Sequence, residues 1–340
     1  MAIGLGLLVL APAPAGADPA KPGPYRSEVT GVDPEVDGVT VEVAGGDSFL
    51  ELTVDRGVEV EVPGYEDEPY LRFLADGTVE ENELSPSAYR NRGRYEDEAP
   101  PEADADAEPR WVEVAHDGTY AWHDHRIHWM SPDAPPRVQG GSGLVQEWEV
   151  PIVVDGQDVV VSGRLDKVAG TSPLPWLGLA LVVGVGGWFL GRRRVAVAVP
   201  AMTVAGGLIA TYVGWRDVAS QPDAAGASPL PFVLGAVALA LALVGAVLGV
   251  RHKAVAADLC GLASAAALGG WVLLRFSVLA EPVLPTDLAP NADRAGTALV
   301  LAFAVASAVL GVQGGAFGSR AAAEDDVAPA SSGPTAPATG

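Results

Sequence analysis

The sequence predicts a water-facing β-domain followed by a bundle of membrane helices. Three observations carry this. Before Gly170 the apolar residues alternate with polar ones at a period of two; after it they run uncharged for twenty residues and more; and the charge is confined to the first part. Residues 18–170 hold 34 of the 43 acidic and 12 of the 21 basic residues, so they carry the whole net charge of −22. The remainder nets to zero, as expected when one part faces water and the other lipid. So acidic a chain lacks the Lys and Arg clusters that displace counterions from phosphate backbones, which argues against nucleic acid as a partner. A single cysteine, Cys260, excludes a disulfide framework or a zinc ribbon. Arg far outnumbers Lys, and Ala, Gly and Val dominate. That composition suggests a high-GC genome, from which part of the acidity follows.

Residues 1–17 read as a secretory signal. Ile3 to Leu10 are apolar, Pro12 and Pro14 follow, and Ala15-Gly16-Ala17 is a small-x-small pattern that places cleavage before Asp18. No basic residue precedes the apolar run, which points to a start codon assigned too far downstream. An uncleaved anchor would need about 20 apolar residues.

Residues 18–170 alternate. Val39, Val41 and Val43; Leu50, Leu52 and Val54; and Val58, Val60 and Val62 each share a strand face, with turns at Asp37-Gly38, Gly45-Gly46-Asp47 and Arg56-Gly57. Further strands are expected at Tyr70–Phe73, Trp111–Val114, Thr119–Met130, Glu147–Ile152 and Asp158–Leu165. The turns between them are Asp76-Gly77, Asp117-Gly118 and Asp155-Gly156. Seven or eight short strands with tight turns suggest an immunoglobulin-like β-sandwich, stabilised by its core alone. Glu96 to Glu108 has acids, Pro and Ala but no apolar face and no calcium-loop ligand order, and reads as a solvated, mobile loop.

The rest, residues 171–319, is expected to cross the membrane five times, within Val168–Gly191, Val195–Trp215, Ala224–Val250, Ala254–Leu274 and Ala295–Ser319. Arg192, Arg193, Arg194, Arg251, Lys253 and Arg320 fall in one set of connections; Arg216, Arg275 and Arg294 fall in the other. The positive-inside rule makes the richer set cytoplasmic, which places the β-domain outside and the C-terminus inside. The spans lack the His, Met and acidic residues of an ion or electron path. Only Asp258 and Met202 stand out, and Asp258 lies near the interface. Gly187-x-x-x-Gly191 and Gly245-x-x-x-Gly249 allow close helix packing. Residues 320–340, rich in Ala, Pro, Ser and Thr, read as a disordered cytoplasmic tail.

Chemistry concentrates in one segment. Four of the five histidines lie between His116 and His128, three of them in Thr119 to Met130. On an extended strand His123 and His125 share a face, a common way to offer two imidazoles to one metal, while His128 and Met130 share the opposite face with Asp124 and Arg126. His123, His125 and His128 reach one ion only if the chain bulges or turns near Arg126-Ile127. With His116 and Met130 as further ligands, imidazole and thioether suit copper, and imidazole alone also suits zinc. In the competing reading Trp122, Trp129 and Tyr120 are core or rim rings and Asp124 with Arg126 is an ion pair. No G-x-S-x-G elbow, outer-domain cysteine or His-Glu-x-x-His helix is present, so no enzyme is expected.

Three blocks, Gly64-Tyr65-Glu66-Asp67-Glu68-Pro69-Tyr70-Leu71-Arg72-Phe73, Ser85-Pro86-Ser87-Ala88-Tyr89-Arg90-Asn91 and His123-Asp124-His125-Arg126-Ile127-His128-Trp129-Met130, resemble an uncharacterised family of actinobacterial membrane proteins with a secreted β-domain and C-terminal membrane helices. The resemblance implies a location and no activity. Two functions therefore stand side by side. One is a membrane-anchored extracytoplasmic binding or accessory protein holding copper or zinc at the His-rich strand. The other is a structural or assembly protein whose outer domain docks another envelope protein.

Overall fold

The computed structural model describes residues 18–95, 98–131, 133–138 and 141–314. The expected signal and tail lie outside them. The chain forms a β-sheet domain followed by apolar helices long enough to span a membrane. By contact it divides into two compact units. One joins the N-terminal part, up to Pro173, with Val213–Pro231 and Phe276–Arg294. The other comprises Leu174–Tyr212, Phe232–Arg275 and the chain from Ala295.

The β-domain has ten strands among the described residues: β1 (Tyr25–Asp33), β2 (Val39–Ala44), β3 (Phe49–Val54), β4 (Val60–Pro63), β5 (Pro69–Phe73), β6 (Val79–Asn82), β7 (Trp111–Ala115), β8 (Thr119–Trp122), β9 (Gly143–Val154) and β10 (Gln157–Lys167). A short helix, α1 (Pro86–Arg90), follows β6. All pairings are antiparallel. One sheet runs β1-β10-β9-β4-β5-β6-β7 and the other β2-β3-β8. This seven-plus-three division differs from the four-plus-three of an immunoglobulin constant domain. Leu50, Leu52, Val54 and Trp122 from the small sheet share one core with Val60, Val62, Phe73, Val150, Ile152, Val161 and Leu165 from the large one.

Local chemistry explains the elements. Strands β9 and β10 alternate buried and outward residues over most of their length, and the Asp155-Gly156 turn joins them with both residues at positive φ. Gly118 has φ +78, and a Cβ there would meet the Val54 carbonyl oxygen at 2.5 Å, so the β7–β8 turn requires glycine. Gly163 in β10 pairs with Trp148, and a Cβ would sit 2.0 Å from the indole. The indole N–H donates to Ser27 Oγ at 2.8 Å. The acidic loop is better fixed than its composition suggests: within its described part the Asp104 N–H donates to the Leu84 carbonyl at 2.9 Å.

Five helices are long and apolar enough to cross a membrane among the described residues. They are α2 (Leu174–Gly191), α3 (Val195–Ala219), α4 (Leu230–Val250), α5 (Ala254–Arg275) and α6 (Pro290–Gly314). Small residues set their approach: a Cβ on Gly207 would meet Leu239 backbone at 2.8 Å, and one on Gly235 would meet Ala210 at 2.6 Å. Ser264 Oγ bridges α5 to α4 by donating to the Ala238 carbonyl at 2.7 Å. Gly187 and Gly191 pack against Met202, Ala198 and Leu310 of the same chain.

Two helix connections belong to the β-domain's unit. Gly23 and Val283 exchange both backbone hydrogen bonds, at 3.0 and 3.1 Å. Ala20 N–H donates to Gln221 Oε1 at 3.0 Å, and Ala225 packs on Ala20, Phe49 and Ala121. Thr171 Oγ1 donates to the Ala280 carbonyl at 2.9 Å. The connections also tie to each other, Arg216 pairing with Asp287 and Ser220 Oγ donating to Asp287 Oδ1 at 3.0 Å. Arg294 donates to the carbonyls of Val278, Glu281 and Pro282.

Candidate functional site

The expected strand Thr119–Met130 ends at Trp122, and this corrects the extended reading of the histidines. The cause is Asp124. Its Oδ1 accepts the Arg126 backbone N–H at 3.0 Å, and its carbonyl accepts from Ile127 N–H at 3.1 Å, so the chain folds into a turn instead of continuing the ladder. The side chain is fully buried. It also accepts from Trp122 Nε1 at 3.0 Å and from Arg126 Nε and Nη2 at 2.8 and 2.6 Å. Burial pushes the Asp124 carboxyl up, but the Arg126 charge and these donors outweigh it and hold it below the ordinary carboxylate range. Ile127 points into the core with no exposure.

The other two blocks hold this turn. Tyr65 hydroxyl hydrogen-bonds Asn91 Oδ1 at 2.5 Å and accepts from His125 N–H at 2.9 Å. Its ring stacks on His125 at 5.7 Å and lies under the Arg126 guanidinium at 5.1 Å. Tyr65 N–H donates to Ser87 Oγ at 2.9 Å. Ser87 and Ser85 hydroxyls donate to Glu68 Oε1 at 2.7 and 2.6 Å, and Ser85 also caps α1. Burial acts against the Glu68 charge; the two hydroxyls more than offset it, so its pKa is lowered. Gly64 is needed beneath it, since a Cβ would fall 2.1 Å from the carboxylate. The three blocks thus form one polar network.

The turn gathers three of the five candidate ligands. His128 lies 5.4 Å from His125 and 6.5 Å from His123, ring centre to ring centre. His123 is buried and stacked on Phe49 at 4.4 Å. Its Nδ1 lies 2.5 Å from the Ser48 carbonyl and its Nε2 2.8 Å from that of Asp18; a neutral ring donates to one of them, and the other carbonyl stands over the remaining nitrogen. Burial lowers its pKa against the pull of those carbonyls. His125 Nε2 lies 3.2 Å from the Gly93 carbonyl. His128 is 1 % exposed and neither ring nitrogen has a hydrogen-bond partner; the Trp129 backbone influences its charge without reaching bonding geometry. Burial, then the nearby Arg94, pushes its pKa down to about 3. Arg94 is itself paired with Asp47 through both carboxylate oxygens.

Of the other two candidates, His116 follows β7 at the Asp117-Gly118 turn, its side chain 87 % exposed and 3.9 Å from Glu113. Met130 is half-buried. Among the described residues no three or more His, Cys, Asp or Glu side chains are grouped to hold a metal ion. Sequence reasoning missed Glu81 on β6, whose charge acts on Tyr70 and Tyr120 of the core. Burial, only partly offset by Arg92, raises its pKa to about 7. Compared with protein-family models, curated proteins and solved structures, the chain matches none.

Proposed function

We propose that the chain is a multi-pass envelope membrane protein whose β-domain stands outside the cytoplasm as a binding module, with the His123–His128 turn as its ligand site and copper or zinc as its ligand. The reading rests on one observation above others: three separate sequence blocks converge to fix a turn that buries an imidazole with no partner. Such a group costs about 1–3 kcal/mol when left unpaired, and a structural turn does not need it.

Two further facts support the orientation. The connections that touch the β-domain, after α3 and after α5, are the two that a five-span count puts on its side. The opposite connections hold Arg192, Arg193, Arg194, Arg251 and Lys253. The location implied by the three-block resemblance agrees. Reporter fusions after Arg194 and at Gly340 should both read cytoplasmic, and one at Ala224 should read external. An external signal at Gly340 sinks the topology. Copper and zinc content of the purified full chain tests the ligand.

The assembly reading draws on a different feature. Strand β7 is an edge of the large sheet, with Val112 and Val114 exposed. Metal-free chain that co-purifies with an envelope protein, and loses it on Val112→Lys, would favour this reading.

A further inference from the structure

We propose that His125 and His128 form a two-imidazole site for a cuprous ion. This deepens the binding-module reading and rests on it.

The unpartnered nitrogens of His128 are the first reason. A buried polar side chain with no partner marks a place for a water or an ion. The second is how His125 is held. A neutral imidazole carries one N–H; here Nε2 faces the Gly93 carbonyl, so Nε2 donates and Nδ1 keeps its lone pair. A ring that donates one N–H to a backbone carbonyl and offers the other nitrogen is oriented as metal-ligating histidines are. The Tyr65 hydroxyl on the His125 backbone and the Tyr65 ring against its face fix that orientation before any ion arrives.

Spacing and charge select the ion. Imidazole nitrogens about 2 Å from a shared ion put the two ring centres roughly 5–6 Å apart when the donor–ion–donor angle is bent, as it is when a third donor such as water joins, and His125 and His128 lie at 5.4 Å. His123 adds no free nitrogen, because both of its own face carbonyls. Zinc asks for four ligands, which the described residues do not group. Monovalent copper has a closed shell, accepts imidazole and is satisfied by two or three donors. Arg94 is paired with Asp47 through both carboxylate oxygens, and what repulsion its charge keeps is smaller for a monovalent ion than for a divalent one. Tyr95, 57 % exposed, lies edge-on to His128 at 6.5 Å.

The test uses the full chain in nanodiscs, with cuprous ion supplied anaerobically from a chromophoric chelator and X-ray absorption read at the copper edge. A single equivalent of copper with nitrogen donors is expected. His125→Ala and His128→Ala should each weaken it by roughly tenfold or more. His116→Ala, at the exposed turn, should leave it unchanged. Circular dichroism on each variant, with His128→Gln as a smaller change, separates lost ligation from lost folding. No copper retained, copper held equally by both alanine variants, or zinc bound in preference with four donors would each overturn the proposal. Topology reporters read the wider interpretation separately: external β-domain without copper refutes this site alone, while a cytoplasmic β-domain refutes the module whatever copper does.

Discussion

Asp124 decides where β8 stops, and its neighbours show how tightly one carboxylate can hold a turn. It is fully buried and paired in plane with Arg126, so removing either partner strands the other. Asp124→Ala should cost about 3–5 kcal/mol, as loss of one member of a buried pair does. Chemical denaturation that moved by less than about 1 kcal/mol would mean that water replaces the carboxylate. Glu81 makes the opposite prediction. Its folded pKa, about 7, stands above the ordinary 4.5, so below pH 4.5 neither state is charged and no penalty exists. Between these values the unfolded chain ionises first and stability falls as pH rises; above 7 the full penalty, of order 3 kcal/mol, remains. Glu81→Gln should therefore stabilise most above pH 7 and little below 4.5, which melting curves across that range would check; a uniform shift would refute it. The sequence offered the Asp124–Arg126 pair as a same-face pair of a strand; the pair forms, but within a turn after β8 has ended. Glu81 was not legible, since Val79-Glu80-Glu81-Asn82 shows no alternation that marks a strand, and its place between Leu71 and Val112 follows from pairing on both sides.

Strands appear in the sequence where alternation is clean and vanish where a local irregularity breaks it. β2, β3, β9 and β10 have long alternating stretches and were expected. β1 was not, because its register shifts between Val29 and Gly31 and the period of two is lost there. α1 is a single capped turn, too short for a helical period. The histidine segment failed for a third reason: the Asp124 carboxylate takes the Arg126 backbone N–H and closes a turn where a ladder was expected. Packing within the strands is tested at Gly163. A methyl group there must displace the Trp148 indole and with it the bond to Ser27, so Gly163→Ala should cost about 1–3 kcal/mol. Gly31, with nothing within 4 Å of its Cβ position, is the matched control. If both substitutions shift the melting temperature equally, the indole is not the cause.

At the scale of the whole chain, the membrane spans were the easiest feature to read, because uninterrupted apolar runs need no partner to identify them. The fastening of the β-domain to the two helix connections was illegible: the backbone bridge at Gly23 and Val283, the amide of Gln221, the Thr171 hydroxyl on the Ala280 carbonyl and the packing of Ala225 leave no pattern in the sequence. It does have a consequence for the isolated domain. Among the described residues the shared core draws on residues from Tyr25 to Leu165, so a fragment of residues 18–170 keeps it intact and should be soluble and β-rich. The segment before β1 is different. Ala20 and Gly23 owe backbone hydrogen bonds to Gln221 and Val283, and Ala20 packs on Ala225, all missing from the fragment. Residues 18–24 should then fray, and the Asp18 carbonyl should leave His123 Nε2. Amide exchange at Ala20 and Gly23 should be fast in the fragment and slow in the full chain, while strands β9 and β10 exchange slowly in both. Equal protection at Ala20 and Gly23 in the two proteins would show that the connections do not hold this segment; a fragment without β-structure would show that the core depends on them after all.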